Sequence, residues 1–175
     1  GPALPAAAED CDEPALQRLL ERARRPAQLL KTTDEQGCTA LHLAADAGHE
    51  GCMRCLVAAG ADLNVKTRSG HTALAISSQK GFSQCVLRLL KAGANTAVET
   101  VRRDTALSLS CEYNHPECTQ MLIEHKANVH TLAFGGFSAL YLACGANADE
   151  CATLLLQAGA EPNSVFTAVQ RTLRL

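Results

Sequence analysis

Nine cysteines and six histidines are the side chains of this sequence best suited to redox, nucleophilic or metal chemistry. Cys52 and Cys55 form a Cys-x-x-Cys pair, a spacing found in redox-active and zinc-binding sites. No second cysteine pair follows at a zinc-ligand spacing, which favours a structural role. A cysteine nucleophile needs a base within hydrogen-bond contact, and we expect four histidines to share no face with a cysteine: His71, His115, His125 and His130. We therefore predict that the protein is not an enzyme and has no catalytic residues, no metal site and no cofactor.

The cysteines repeat at a fixed interval along the chain. Four of them lie 33 residues apart in succession: Cys52, Cys85, Cys118 and Cys151. Two more are separated by the same interval: Cys111 and Cys144. Disulfide frameworks do not follow such a register, whereas the core positions of a repeated unit do. We therefore expect reduced thiols in the core, which predicts a cytoplasmic or nuclear location, or both.

The composition excludes several classes of protein. The length of 175 residues fits one domain. Charged residues make up 19% and hydrophobic residues 47%, which excludes intrinsic disorder, and no apolar run approaches the ~18 residues of a membrane-spanning helix. A net charge of −2 and an aromatic content of 3%, without Trp, argue against a nucleic-acid surface. We predict a protein partner, with no nucleic-acid binding and no membrane insertion.

The 33-residue interval also relates positions that define two short helices in each unit. Each first helix follows a hydroxyl side chain that can cap free backbone N–H groups: Thr39, Thr72, Thr105 and Ser138. Gly or Asn comes after this helix, which predicts a left-handed turn: Gly48, Gly81, Asn114 and Asn147. A glycine ends three of the second helices, and Lys126 takes its place in the fourth unit.

These repeats predict a single all-α domain over residues 1–175. We place five units at about 1–36, 37–69, 70–102, 103–135 and 136–168. Residues 169–175 are predicted to form a capping helix or a truncated repeat. Because a solenoid repeats its core, function is expected at the positions that the core does not dictate.

Two stretches carry a resemblance to a known family. Residues 37–49, GCTALHLAADAGH, and residues 56–64, LVAAGADLN, resemble an ankyrin repeat. The resemblance covers nearly the whole chain and implies an all-α solenoid of stacked helix-turn-helix units, with β-hairpin fingers between consecutive units. Ala replaces the family's usual Pro after the capping hydroxyl residue, and the family's His survives only as His42.

In this family the finger tips and the exposed side of the first helices line a concave groove that binds partners. Mapped onto this sequence, the predicted partner-binding residues are Lys66, Arg68, His71, Lys80, Arg102, Glu112, Tyr113, Phe134 and Phe137. The cations suit acidic side chains or a phosphorylated segment, unless they form only a solvated charged face. The aromatics suit an apolar anchor, unless the finger folds back and buries Phe134 and Phe137. We expect an acidic and apolar partner segment and a monomeric array.

The leading functional interpretation is a non-catalytic protein-interaction module that serves as a substrate-recognition or scaffold domain of a larger protein. One alternative is a regulatory subunit that docks on and inhibits an enzyme such as a kinase. Another is a ubiquitin-ligase substrate receptor, because the cysteine-rich helices and residues 141–144 and 160–163 resemble ankyrin proteins that carry a SOCS box. The family resemblance also implies that Asn64, in the sequence Asp62-Leu63-Asn64, is a substrate of oxygen-dependent asparagine hydroxylases.

Overall fold

The computed structural model describes residues 7–8 and 13–162, including every side chain in these ranges except that of Phe134. The predicted capping helix or truncated repeat at 169–175 lies outside the described residues. Residues 7–8 are helical. The other elements are α1 (Glu13–Arg22), α2 (Pro26–Leu29), α3 (Ala40–Ala47), α4 (Glu50–Ala58), α5 (Ala73–Lys80), α6 (Ser83–Lys91), α7 (Ala106–Glu112), α8 (Pro116–Glu124), a 3-10 turn (Phe134–Gly136), α9 (Ala139–Gly145) and α10 (Asp149–Gln157).

Each first helix begins at the hydroxyl residue predicted to cap it. The N-caps of α3, α5, α7 and α9 all have extended backbone: Thr39, Thr72, Thr105 and Ser138. In α5, α7 and α9 the hydroxyl oxygen accepts a hydrogen bond of 3.2 Å from the backbone N–H three residues later. These bonds satisfy donors that the first turn of a helix leaves free. The capping prediction is therefore confirmed for Thr72, Thr105 and Ser138.

Left-handed residues end the helices where the sequence predicts them. The turn after each first helix has a φ between 53° and 77°: Gly48, Gly81, Asn114 and Asn147. Lys126, which follows α8, has a φ of 65°. Arg103, in the finger before α7, has a φ of 62°, and the equivalent residue of the preceding finger, Gly70, has a φ of 83°. A residue with a Cβ pays roughly 1–2 kcal/mol in this conformation. Backbone strain is therefore concentrated in the fourth unit.

The helices stack in two layers. The first helices α3, α5, α7 and α9 each pack on the next, and the second helices α1, α4, α6, α8 and α10 do the same. The repeated leucines of both layers are buried: Leu41, Leu74, Leu107 and Leu140, then Leu56, Leu89, Leu122 and Leu155. Burial of one such side chain stabilises the fold by about 2 kcal/mol. None of the helices described is long and apolar enough to cross a membrane.

The fingers are tight turns rather than strand ladders. Across residues 13–162 there is one isolated antiparallel bridge and no strand. Each finger is closed by a backbone hydrogen bond from an N–H to the carbonyl four residues later: Asp34 to Cys38, Thr67 to His71, Thr100 to Asp104 and Ala133 to Phe137. Backbone hydrogen bonds join successive fingers. The Arg68 N–H donates to the Gln36 carbonyl at 2.9 Å, and 33 residues later the Val101 N–H donates to the Ser69 carbonyl at 3.1 Å. The predicted hairpin fingers are thus too short to form a ladder of their own.

His42 lies in the core and is only 2% exposed. Its Nε2–H donates to the carbonyl oxygen of Val65 at 2.9 Å, and its Nδ1 accepts from the backbone N–H of Thr39 at 3.0 Å. This pattern requires the neutral ring, because a protonated ring has no acceptor for Thr39. Burial lowers the pKa of His42, and hydrogen bonds to backbone carbonyls oppose that effect.

Acidification is expected to destabilise the protein through His42. The unfolded chain takes up this proton near pH 6.5, whereas the folded chain does so only at lower pH. The contribution of the neutral ring to the free energy of unfolding is therefore complete above about pH 6.5. It is lost as the pH falls through the pKa of His42 in the folded protein. His42→Gln supplies a donor and an acceptor but does not titrate. Urea titrations at about pH 7 and 5 should show a smaller loss of unfolding free energy for this variant than for the wild type. An equal loss would contradict the assignment.

Two buried serines of α5 have no hydrogen-bond partner within the described residues, namely Ser77 and Ser78. The counterpart of Ser77 one unit later is Ser110, which donates to the Leu107 carbonyl at 2.9 Å and lies 2.9 Å from Thr119 Oγ1. Val86 occupies the position equivalent to Thr119 in the third unit, so Ser77 lacks that hydroxyl. An unpaired buried hydroxyl costs about 1–3 kcal/mol.

The same substitution is expected to have opposite effects in two successive units. Ser77→Ala removes an unpaired hydroxyl and should raise the free energy of unfolding by about 1 kcal/mol. Ser110→Ala breaks existing hydrogen bonds and should lower it by about 1 kcal/mol. Chemical denaturation of both variants measures the difference. Destabilisation by Ser77→Ala would show that its hydroxyl has a partner in solution.

Candidate protein-binding groove

A cavity of about 300 Å³ lies between the fingers and the first helices of the second and third units. Its walls are Gln36, Cys38, Thr67, Ser69 and His71 from the fingers, with Asp46, Ile76 and Gln79 from α3 and α5. The fingers hold their positions through the bond between Arg68 and Gln36 described above. Most of its lining residues carry a polar group, although apolar atoms supply more of the exposed lining. The side chains here suit hydrogen bonding to an extended partner segment.

A cysteine and a histidine, Cys38 and His71, line this same cavity, so the expectation that His71 shares no face with a cysteine is wrong. Cys38 and His71 belong to successive fingers, which the inter-finger hydrogen bonds bring side by side. Burial lowers the pKa of His71, and its Nδ1 lies 2.9 Å from Ser69 Oγ. Burial, together with the carboxylates of Asp34 and Asp46, raises the pKa of the Cys38 thiol. Both shifts oppose the thiolate–imidazolium pair of a cysteine nucleophile.

The two side chains of the Cys-x-x-Cys pair have different surroundings. Cys52 is buried in the core, whereas the Cys55 sulfur lies 3.6 Å from Glu13 Oε1. Burial and the Glu13 carboxylate raise the pKa of Cys55. All eight cysteines within residues 13–162 are free thiols, and the described part of the chain contains no His, Cys, Asp and Glu cluster suited to a metal.

The second set of repeated cysteines is buried at one position only. Cys111 is buried because the fifth unit packs over it, but Cys144 is exposed in the last described unit. The expectation that both are core positions therefore holds for Cys111 and is wrong for Cys144. A 33-residue register places a residue on the inter-unit face, and burial follows only where a further unit covers that face.

The predicted cationic residues differ in how far their charges are compensated. Lys80 Nζ lies 3.2 Å from Asp46 Oδ1, and Asp46 belongs to the cavity wall. Arg102 Nε lies 3.8 Å from Asp104 Oδ2. Lys66 and Arg68 are exposed on the finger before α5, with no carboxylate at ion-pair distance among residues 13–162. Glu112 is half-buried at the end of α7.

The predicted aromatic residues do not form one cluster. Tyr113, which follows α7, is 49% exposed. The ring of Phe137 is half-buried and stacks on Tyr141, with 4.5 Å between centroids and 12° between planes. Of Phe134, only the backbone is described. Sequence reasoning missed Tyr141, which is 51% exposed. The sequence feature that could have indicated Tyr141 is its position: it is equivalent to the buried His42 of the second unit but has a larger aromatic side chain.

Asn64 lies exposed in the segment after α4. Its Oδ1 accepts a hydrogen bond of 2.9 Å from the backbone N–H of Asn95, one unit later. Asp62 Oδ1 accepts in turn from the Asn64 N–H at 3.0 Å. The amide side chain thus joins equivalent segments of two successive units.

Sequence comparison agrees with this architecture. A family model described as ankyrin repeats (3 copies) matches residues 4–100 and 88–165. The two matches span all the described helices and confirm the resemblance to that family. They do not extend to the SOCS-box subfamily, which stays a prediction. No curated protein sequence matches the chain.

The burial pattern predicts three classes of thiol reactivity. Cys144 should react first with iodoacetamide, because it is exposed. Cys38 and Cys55 should react more slowly, since they are half-buried and their raised pKa values lower the thiolate fraction. The buried thiols should react only in urea: Cys52, Cys85, Cys111, Cys118 and Cys151. Peptide mapping by mass spectrometry, with Cys144→Ser as the control, measures the order. Rapid joint labelling of Cys52 and Cys55 would instead indicate a reactive pair.

Proposed function

The chain belongs to the ankyrin-repeat family, and we propose that it binds a segment of a partner protein along the groove between its fingers and first helices. Ankyrin repeats are generally protein–protein interaction modules, and the family is typically non-catalytic. The periodic core uses the same positions in every unit. Recognition is therefore assigned to side chains that this core leaves outside.

Exposed apolar side chains on the fingers and first helices carry the proposal. Val101 is 74% exposed on a finger, while Tyr113 and Tyr141 are about half exposed on or beside first helices. Folding gains little from large apolar groups in water, whereas interfaces use such groups, aromatic ones above all, as anchors. The cavity adds hydrogen-bonding groups from two units, and one of its lining residues, Ser69, accepts the hydrogen bond from the Val101 N–H.

The charges near this surface favour a partner segment with acidic and apolar parts. Lys66 and Arg68 are exposed cations whose charges no carboxylate among the described residues neutralises at ion-pair distance. Arginine binds carboxylate and phosphate groups through paired hydrogen bonds. We place the acidic part of the partner opposite these cations and its apolar part opposite Tyr113 and Phe137.

Within this proposal the array is a monomeric substrate-recognition or scaffold domain of a larger protein. The ubiquitin-ligase receptor and the enzyme-inhibiting subunit remain alternatives, which co-purification separates: the first brings a cullin-type scaffold and the second brings one enzyme. The free state of the eight described cysteines supports a cytoplasmic or nuclear location.

Hydroxylation of Asn64 is a further part of the proposal, supported by the exposure of this residue. The hydrogen bond from Asn95 to its amide oxygen must open before an enzyme can take hold of the side chain. Intact mass after treatment with an asparagine hydroxylase tests this, with Asn64→Ala as the control. A gain of one oxygen atom that persists in the variant would assign the modification elsewhere.

Charge reversal in the groove is expected to weaken the binding of acidic peptides. A random displayed peptide library, selected on the immobilised protein, should yield sequences that combine carboxylates with an apolar residue. Arg68→Glu with Arg102→Glu should lower the association rate of such peptides about tenfold and reduce its salt dependence. Phe137→Ala should mainly raise the dissociation rate.

Lys91→Glu is the matched control, because it reverses an exposed charge on α6, in the other helix layer. It should leave both rates unchanged. Binding that survives the Arg68, Arg102 and Phe137 substitutions would exclude the groove as the binding site.

A further inference from the structure

The first unit contains an element that the other units lack. Helix α1 ends at Arg22, and the chain then passes through Ala23, Arg24 and Arg25 and forms the short helix α2, Pro26–Leu29. The second helices α4 and α6 are followed by the next finger with no helix between. Because the repeated core forms without such an element elsewhere, packing of the array does not explain its arginines.

A cavity of about 470 Å³ opens between α1 and α2. Its floor is apolar and includes Leu19 from α1 and Leu29 from α2, both half-buried at the edge of the core. Its rim carries Arg22, Arg24 and Arg25. We call this cavity with its three arginines the arginine pocket. No residue that lines it also lines the cavity of the groove.

The arginines of this pocket form no ion pair with the described part of the chain. All three are exposed, and none has a carboxylate at ion-pair distance within residues 13–162. Elsewhere in the array Arg54 and Arg88 do pair, with Glu13 and Glu50 of the preceding second helices. Arg18, one helical turn before Arg22 on α1, is a fourth exposed cation beside the pocket. Since no described carboxylate neutralises these charges at ion-pair distance, an anionic ligand would supply the missing counter-charge.

We propose that the arginine pocket is a docking site for a short acidic peptide segment of a partner protein. Guanidinium groups on the rim bind carboxylates through paired hydrogen bonds. The floor of Leu19, Ala23 and Leu29 takes up an apolar side chain that lies between those carboxylates. An inorganic anion would leave this floor exposed to water.

The distribution of charge favours a short peptide over an extended polyanion. The whole chain has a net charge of −2, although this cluster contributes four positive charges, so the remaining residues carry a net charge of −6. A nucleic acid or an anionic membrane is larger than the pocket, and the net negative charge of the remaining residues does not favour its binding. A peptide of a few residues stays within the positive region.

Fluorescence anisotropy with a labelled acidic peptide, EEDLDEE, tests the proposal. We expect saturable binding at low ionic strength that weakens as salt is added. Arg22→Gln with Arg25→Gln should weaken this binding about tenfold or more. Both side chains are exposed, and thermal unfolding by circular dichroism verifies that the variant folds. Replacing the peptide's leucine with serine should also weaken binding, because the apolar floor is then unused.

The groove is itself proposed to bind acidic peptides, so all titrations use protein that already carries Arg68→Gln and Arg102→Gln. In this background the matched control is Lys91→Gln with Lys126→Gln, which removes two exposed charges that line neither cavity. The control should leave peptide binding unchanged, and a failure here is distinct from a failure of the groove. Equal weakening by both double variants would overturn the proposal, as would no saturable binding. Tighter binding to vesicles with anionic lipid, or to a single-stranded oligonucleotide, than to the peptide would also overturn it.

Discussion

Apolar packing between neighbouring units holds the array together, because a pair of short helices cannot bury its own apolar face. The leucines of the second helices show this dependence, since each is fully buried between layers supplied by successive units: Leu56, Leu89, Leu122 and Leu155. The free energy of unfolding is then approximately the sum of the contributions of the units and of the interfaces between neighbouring units. A local defect in one unit is transmitted mainly to the units on either side.

Polar groups within these interfaces are where the units differ. The second unit has His42 bonded to the segment that leads into the next finger. The fourth has Ser110 beside Thr119, whereas the third has Ser77, which has no hydrogen-bond partner in the described part of the chain. The apolar frame is the same in each case, so the hydrogen bonds determine how stable each interface is. Ion pairs between second helices, such as Glu50 with Arg88 at 2.5 Å, add little, since both partners are substantially exposed.

A repeated core separates stability from recognition. The groove and the arginine pocket draw on different parts of the chain: the groove on fingers and first helices, the pocket on the connector that follows α1. Neither surface contains the buried leucines of the stack. Substitutions on either surface therefore change charge and shape without removing the packing on which the fold depends. A partner that reached both surfaces would bind with the combined strength of two weak sites.

The sequence alone determined the repeating unit, because capping hydroxyls, left-handed Gly and Asn turns and buried leucines each act within a few residues and recur every 33 positions. It also determined that the repeated thiol at Cys52 and its counterparts is a core position. Only the tertiary structure decided which side chains of different units meet. It put Cys38 and His71 in the lining of one cavity, stacked Phe137 on Tyr141, left Cys144 exposed and placed three arginines around another cavity. These contacts depend on how one unit sits on the next, and that geometry is set by packing between units rather than by any local pattern.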